Sequence, residues 1–196
     1  MTEQLLTALQ ALSLAEGVAV VLALAYLVLA AAENIWCWPC ALVSTAIYTW
    51  LFWDVSLPMQ SALNVFYLLM AVYGWYQWRL GGGDDRPLTI RTLPLSTHVA
   101  IIIGVLVMTV ASGALLTSMA DSAWPFVDAF VTWGSVVTTV MVARKILENW
   151  LYWLVIDAVA VPLYFSRELY LTAVLFVIYL VIVVQGYRTW RKHLQS

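Results

Sequence analysis

Apolar side chains fill long stretches of this 196-residue chain, and short polar segments separate those stretches. Roughly 17–25 consecutive apolar residues cross a bilayer as one α-helix, and a helix satisfies its own backbone hydrogen bonds there. The first stretch begins between Gln10 and Gly17 and ends at Ala32. Six more follow, at residues 34–53, 55–78, 99–120, 124–143, 146–165 and 169–187. The pattern therefore predicts an all-α integral membrane protein with seven transmembrane helices.

Two sequence landmarks recur in the same order, which indicates an internal repeat. The motif E-N-x3-W occurs at 33–38 and at 148–153, and G-x3-W-R occurs at 74–79 and at 186–191. Spans one to three therefore match spans five to seven, and both units cross the membrane in the same direction. Parallel repeats of this kind are known in transporters. We predict a 3+1+3 arrangement, with a first unit at 1–80, a cytoplasmic loop and connector helix at 81–122, and a second unit at 123–196.

Charge is scarce and unevenly placed. Only 10% of residues are charged, against about 25% in ordinary soluble domains. The net charge of −2 and the lack of a basic stripe argue against a nucleic-acid partner. Basic residues concentrate on the cytoplasmic side of membrane proteins, so we predict an outer N terminus and a cytoplasmic C terminus. Of the basic residues, Arg167 lies on the predicted outer side. Eight lie on the predicted cytoplasmic side: Arg79, Arg86, Arg91, Arg144, Lys145, Arg188, Arg191 and Lys192.

The strongest candidate for binding chemistry is Asp157, an acid inside the sixth predicted span. Counting about 1.5 Å per residue places it roughly 16 Å deep, near the middle of the bilayer core. Asn149 and Trp153 share its helix face at i, i+4 and i+8, and Trp150 is adjacent. A carboxylate beside indole faces, which attract cations, indicates a site for an aromatic organic cation.

Further candidates come from the third span and from the repeat. Asn64 should reach the membrane midplane, where an amide needs a partner or a ligand. The repeat pairs Asn34 with Asn149 and Trp38 with Trp153, whereas Leu42 stands opposite Asp157. Structural alternatives remain open: the tryptophans can be interfacial anchors, Asp157 can bond a neighbouring helix, and Tyr48 and Tyr67 can be pocket-lining or packing residues.

Several enzyme classes lack their required residues. The two histidines are isolated, and no P-loop or G-x-S-x-G motif is present. The two cysteines form one C-x-x-C inside an apolar stretch, which favours packing over redox or metal chemistry. We therefore expect no metal, no cofactor and no enzymatic activity.

Two segments carry a family resemblance. With 144–153, R-K-I-L-E-N-W-L-Y-W, and 73–78, Y-G-W-Y-Q-W, the chain resembles the PnuC-type vitamin transporters over all seven spans. The resemblance implies a full-length SWEET-like fold, a homotrimer in the bacterial inner membrane, and facilitated diffusion of a vitamin that a cytoplasmic kinase then traps. It also implies that Asn149 and Trp153 contact substrate. Asp157 and Asn64 depart from the nicotinamide riboside members, which carry Asn and Gln at those places.

These observations lead to a functional expectation. The resemblance implies a uniporter for a cationic aromatic vitamin, and the family also includes thiamine transporters. Because thiamine is an aromatic cation that suits the carboxylate of Asp157, we expect thiamine as the substrate. Nicotinamide riboside, which is also a cation, is the alternative substrate. A receptor or scaffold without transport activity is the alternative from another class.

Overall fold

Seven α-helices account for most of the computed structural model, which describes residues 14–54, 58–83, 86–119, 124–166 and 170–195. They are α1 (Leu14–Ala31), α2 (Cys37–Asp54), α3 (Pro58–Leu80), α4 (Leu95–Met119), α5 (Pro125–Ala143), α6 (Asn149–Ser166) and α7 (Tyr170–Leu194). Over these ranges no strand forms, so the all-α prediction is confirmed. Arg167 and the boundaries predicted at 55, 120, 122 and 169 lie outside the described residues, as does part of the range predicted for the first span's start.

Four of the described helices are long and apolar enough to cross a membrane, at Leu14–Ala31, Leu95–Leu115, Pro125–Ala143 and Ala173–Leu194. Shorter apolar segments occupy Cys37–Leu51 and Asn149–Leu163. The third helix is rich in Tyr, Trp and Gln, whose polar atoms lower its average hydropathy. Seven spans therefore stay a prediction. Large apolar side chains such as Val21, Leu69 and Ile102 are exposed, as expected of a surface that faces lipid.

The α1–α2 and α5–α6 turns have the same hydrogen-bond pattern. Glu33 and Lys145 have positive φ angles of 57° and 49°. In the first turn the Glu33 amide donates to Ala30 and the Asn34 amide to Leu29. In the second turn, the amides at 145 and 146 donate to the carbonyls at 142 and 141. Both turns are therefore Schellman motifs with a left-handed residue after the helix, a position that usually holds glycine.

A spacing of 112 residues, the one that separates Glu33 from Lys145, also relates the ends of several helices. It connects the starts of α2 and α6, the starts of α3 and α7, and the ends of α1 and α5. The residue pairs inferred from the E-N-x3-W motif differ by three positions from the pairs that the 112-residue spacing gives. In the structural register Cys37, not Asn34, corresponds to Asn149, and Thr45, not Leu42, corresponds to Asp157. The motif misleads because its letters fall at different places relative to the two helix starts.

Four tryptophans pack together where these two turns lie, and we call Trp38, Trp78, Trp150 and Trp190 the tryptophan layer. Trp38 meets Trp78 edge to face at 5.5 Å between ring centroids, and Trp150 meets Trp190 in the same way at 5.4 Å. Trp78 and Trp190 contact each other at 5.8 Å. Each member is at most 3% exposed. The layer therefore forms a buried aromatic core that joins α2 and α3 to α6 and α7.

Two indole hydrogen bonds connect helices at this layer. Trp78 Nε1 donates to the Val142 carbonyl oxygen at 3.1 Å, and Trp190 Nε1 donates to the Ala30 carbonyl oxygen at 2.9 Å. Each acceptor lies in the last turn of a helix and also accepts one amide of its Schellman motif. The two indole bonds therefore add a second partner to these carbonyls and hold α3 against α5 and α7 against α1.

Replacing Trp190 by phenylalanine should destabilise the protein by about 1–3 kcal/mol, because a buried hydrogen bond and part of a packed ring are lost. Thermal unfolding in detergent measures this change. Trp50→Phe is the matched control, because the Trp50 side chain is 60% exposed. Equal midpoints for the two variants would contradict the structural role of the indole.

The linker before α4 is hydrogen-bonded to the α5–α6 turn. The Arg91 amide donates to the Lys145 carbonyl, and the Leu147 amide donates to the Arg91 carbonyl, which makes one parallel β-bridge. In α4, His98 Nδ1 shares a hydrogen bond of 2.9 Å with the Tyr152 hydroxyl, and His98 Nε2 lies 3.8 Å from Glu148. The connector is therefore attached to the α5–α6 turn and to the start of α6.

Candidate substrate-binding site

Asp157 lies two turns into α6 and is buried, at 2% exposure, as its position in the sequence predicts. Tyr179 of α7 lies within electrostatic range of Asp157 and of Tyr48 of α2. A carboxylate and two phenols from three helices therefore lie in the same region of the bundle. Burying a carboxylate is costly unless a partner or a bound cation compensates it.

Two further tyrosines extend this group. Tyr26 of α1 interacts electrostatically with Tyr67 of α3 and with Tyr179. Tyr67 and Tyr179 occupy equivalent positions under the 112-residue spacing. The sequence analysis included Tyr48 and Tyr67 and missed Tyr26 and Tyr179. The repeat in its structural register would have identified Tyr179, because that register carries Tyr67 onto it. We call Asp157 with these four residues the tyrosine group.

Asn149, the first residue of α6, is fully buried, and only one of its two side-chain polar atoms has a hydrogen-bond partner among the described residues. Its Nδ2 donates to the Ile146 carbonyl oxygen at 2.7 Å, whereas its Oδ1 has no hydrogen-bond partner among the described residues. An unsatisfied buried acceptor costs about 1–3 kcal/mol. The neighbouring Trp150 also has a buried Nε1 without a partner among the described residues. This end of α6 therefore holds one buried acceptor and one buried donor without a partner among the described residues.

The predicted tryptophans differ in their surroundings. Trp150 is 1% exposed and packs on Gly186 and Trp190, so it does not face lipid as an interfacial anchor would. Trp38 is packed in the same way, and its Nε1 likewise has no partner in the described part of the chain. Trp153 is partly buried against the core. Both fully buried rings therefore have a packing role, and each also carries a free indole donor.

The two remaining candidates stand apart from Asn149. Asn34 is exposed, and its Oδ1 accepts a hydrogen bond from the Trp36 amide at 3.0 Å, which caps the turn before α2. Asn64 is partly buried in α3, three residues before Tyr67, so the two share a helix face. The structure thus associates Asn64 with the tyrosine group and gives Asn34 a local structural contact.

These side chains have the charge and the polar groups that binding of an organic cation requires. The carboxylate supplies charge, the phenols supply aromatic faces and hydroxyl groups, and Asn149 supplies an amide oxygen. Over the described ranges, no group of three or more His, Cys, Asp or Glu residues is arranged to hold a metal ion.

Comparisons with known proteins identify the family. The model of the nicotinamide mononucleotide transporter family matches residues 13–192. The riboflavin/roseoflavin transporter RibM of Streptomyces davaonensis is 30% identical over 87% of this chain and 81% of its own. The nicotinamide riboside transporter PnuC of Escherichia coli is 28% identical over 91% of this chain and 85% of its own.

A solved structure has the same fold. The crystal structure of the vitamin B3 transporter PnuC superposes with a TM-score of 0.70, covers 91% of this chain and 80% of its own, and is 23% identical in sequence. The family model spans nearly the whole chain, and this chain aligns with most of the length of the two named transporters. The chain therefore belongs to the PnuC-type family of membrane-spanning vitamin transporters.

Proposed function

We propose that this protein takes up nicotinamide riboside by facilitated diffusion. The proposal rests on the nicotinamide riboside transporter among the relatives and on the buried carboxylate of Asp157, which lies within electrostatic range of Tyr179. The nicotinamide ring of this substrate carries a fixed positive charge, which a buried carboxylate complements. The resemblance implies Asn at this position in nicotinamide riboside members, so the charge would strengthen binding rather than make it possible. Tyrosine faces add cation–π attraction of about 0.5–2 kcal/mol. Asn149 lies about 12 Å from Asp157 along α6, so its amide would accept a hydrogen bond from the ribose.

Two other vitamins are weaker candidates. Riboflavin has no fixed positive charge, so Asp157 would gain nothing from binding it. Thiamine, favoured from the sequence, has a cationic ring and would suit Asp157 equally well. Of the relatives described above, however, one is a nicotinamide riboside transporter and one a riboflavin transporter. Nicotinamide riboside carries a positive charge that suits Asp157, and it is the substrate in the name of one of these relatives. Thiamine is the second candidate.

The transport step we propose is a rocking of two three-helix units about the tyrosine group. The tryptophan layer lies at the cytoplasmic end, where most basic residues gather, and the N terminus is outside. Substrate moves down its gradient in the bacterial inner membrane, and phosphorylation by a cytoplasmic kinase keeps it inside. Three copies of the chain assemble as a homotrimer.

Calorimetry on the purified protein tests the substrate. Nicotinamide riboside should bind in the micromolar range, about −8 kcal/mol, with thiamine weaker and riboflavin undetectable. Tighter binding of thiamine would instead establish the second candidate. Accumulation of labelled nicotinamide riboside in liposomes that contain its kinase then separates a transporter from a receptor, because a receptor binds without accumulation.

A further inference from the structure

Two residue pairs with the 112-residue spacing touch each other, namely Glu33 with Lys145 and Trp78 with Trp190. When a two-fold axis relates two similar units, a residue contacts its own equivalent only beside that axis. These contacts therefore mark the centre of the bundle, where the first and second units meet. Both pairs lie at the end that holds the α1–α2 and α5–α6 turns.

The Glu33–Lys145 pair is a partly buried ion pair with further partners. Lys145 Nζ lies 2.5 Å from Glu33 Oε1 and 4.7 Å from the centroid of the Trp78 ring. Glu33 Oε2 lies 2.7 Å from His193 Nδ1 of α7. The Lys145 side chain is only 8% exposed, so the pair is less screened by water than an exposed one. Separating these charges therefore has an appreciable cost.

The two turns would form more easily without these side chains. A left-handed conformation costs roughly 1–2 kcal/mol for a residue other than glycine, and glycine would complete either Schellman motif without that cost. Identical charged residues at the two positions would also repel each other. Instead, an acid and a base meet across the axis. Such a strained pair of opposite charges points to a role beyond the turns themselves.

We propose that Glu33 and Lys145 form the gate at this end of the transport path, and that they separate whenever substrate leaves there. The inference rests on the proposed rocking of the two units. Tyr67 and Tyr179 precede Trp78 and Trp190 by three helical turns, roughly 16 Å along their helices. The ion pair and the two tryptophans therefore close the axis between the tyrosine group and the end of the bundle.

Cys37 provides a native probe for opening. It is the first residue of α2, is fully buried, and lies within electrostatic range of Lys145. The chain contains two cysteines, so Cys40→Ala leaves Cys37 as its only thiol. The rate at which a maleimide alkylates Cys37 in the purified protein then measures how often this end opens.

In that background, Glu33→Gln and Lys145→Met should each raise the alkylation rate about tenfold, because the loss of a partly buried ion pair favours the open form. Lys192→Met is the matched control, since Lys192 is an exposed base at the same end of α7. It should leave the rate within about twofold. Glu33→Gln preserves side-chain size and carries the test alone if Lys145→Met does not fold.

The charge exchange Glu33→Lys with Lys145→Glu distinguishes a gate from general loosening. Because a lysine at position 33 would face His193, the exchange is made together with His193→Gln, and His193→Gln alone is its reference. Protection of Cys37 should return to that reference. Rapid labelling of the exchanged protein, or slow labelling of Glu33→Gln, would overturn the gate. Labelling needs no substrate, so a failure of nicotinamide riboside to bind would contradict the proposed substrate separately.

Discussion

Replacing Asp157 by asparagine is expected to raise the dissociation constant for nicotinamide riboside by about 30-fold, or roughly 2 kcal/mol. Asparagine, which the resemblance implies at this position in nicotinamide riboside members, preserves the size and polarity of the side chain. It removes the charge that would face the cationic ring, so the variant should still bind but more weakly. Asp157 is 2% exposed, so water cannot screen the lost interaction as it does at a surface. Calorimetry with the purified variant measures the change directly.

The same substitution should leave the empty protein as stable as before, or more stable, because a buried carboxylate is more costly to desolvate than an amide. Weaker binding together with an undiminished unfolding temperature would identify a binding residue rather than a structural one. Asp54→Asn is the matched control, because Asp54 is exposed at the end of α2. Unchanged affinity of Asp157→Asn would exclude Asp157 from the site.

A second large effect is expected from Gly74→Ala, which should lower the free energy of unfolding by about 1–3 kcal/mol. An added Cβ would lie 2.3 Å from two carbon atoms of the Trp38 ring. That ring cannot easily retreat, because Trp78 meets it at 5.5 Å and Tyr26 at 6.0 Å between centroids. The steric conflict outweighs the gain of about 1 kcal/mol that alanine normally brings to a helix.

Two other helical glycines provide a graded comparison. Gly186→Ala should be destabilising to a smaller extent, because its Cβ would lie 2.8 Å from Trp150 ring atoms. Gly104→Ala should be neutral or stabilising by up to about 1 kcal/mol, because nothing lies within 4 Å of its added Cβ. Thermal unfolding of all three in one detergent gives the order. A Gly74→Ala midpoint equal to that of Gly104→Ala would refute the close packing on Trp38.

The helices could be predicted from the sequence because each coincides with one long apolar stretch. Their ends could not be predicted as well. The second stretch begins at residue 34, but α2 begins at Cys37 because Glu33 adopts a left-handed conformation and Asn34 caps the turn. The fourth stretch begins at 99, but α4 begins at Leu95 because His98 finds a partner in Tyr152. Both differences depend on contacts that hydropathy does not register.

The candidate site was predicted in part. The depth of Asp157 along its span indicated burial, and the structure confirms it. That Trp150 lies within the core could not be foreseen, because a tryptophan near a span end is typical of the lipid interface. Tyr179 was missed because residues were paired through the E-N-x3-W motif. The G-x3-W-R motif, at 74–79 and 186–191, already has the 112-residue spacing, and the helix starts favour this spacing, which makes Tyr179 equivalent to Tyr67.

The bridge between Arg91 and Ile146 has a mechanical consequence. It joins the linker and α4 to the α5–α6 turn, so in the proposed rocking α4 would move with the second three-helix unit. The Leu88 amide donates to the Trp78 carbonyl oxygen at 3.3 Å, which keeps the chain up to Leu88 with α3. The backbone torsion of each proposed transport cycle would therefore be concentrated between Leu88 and Arg91.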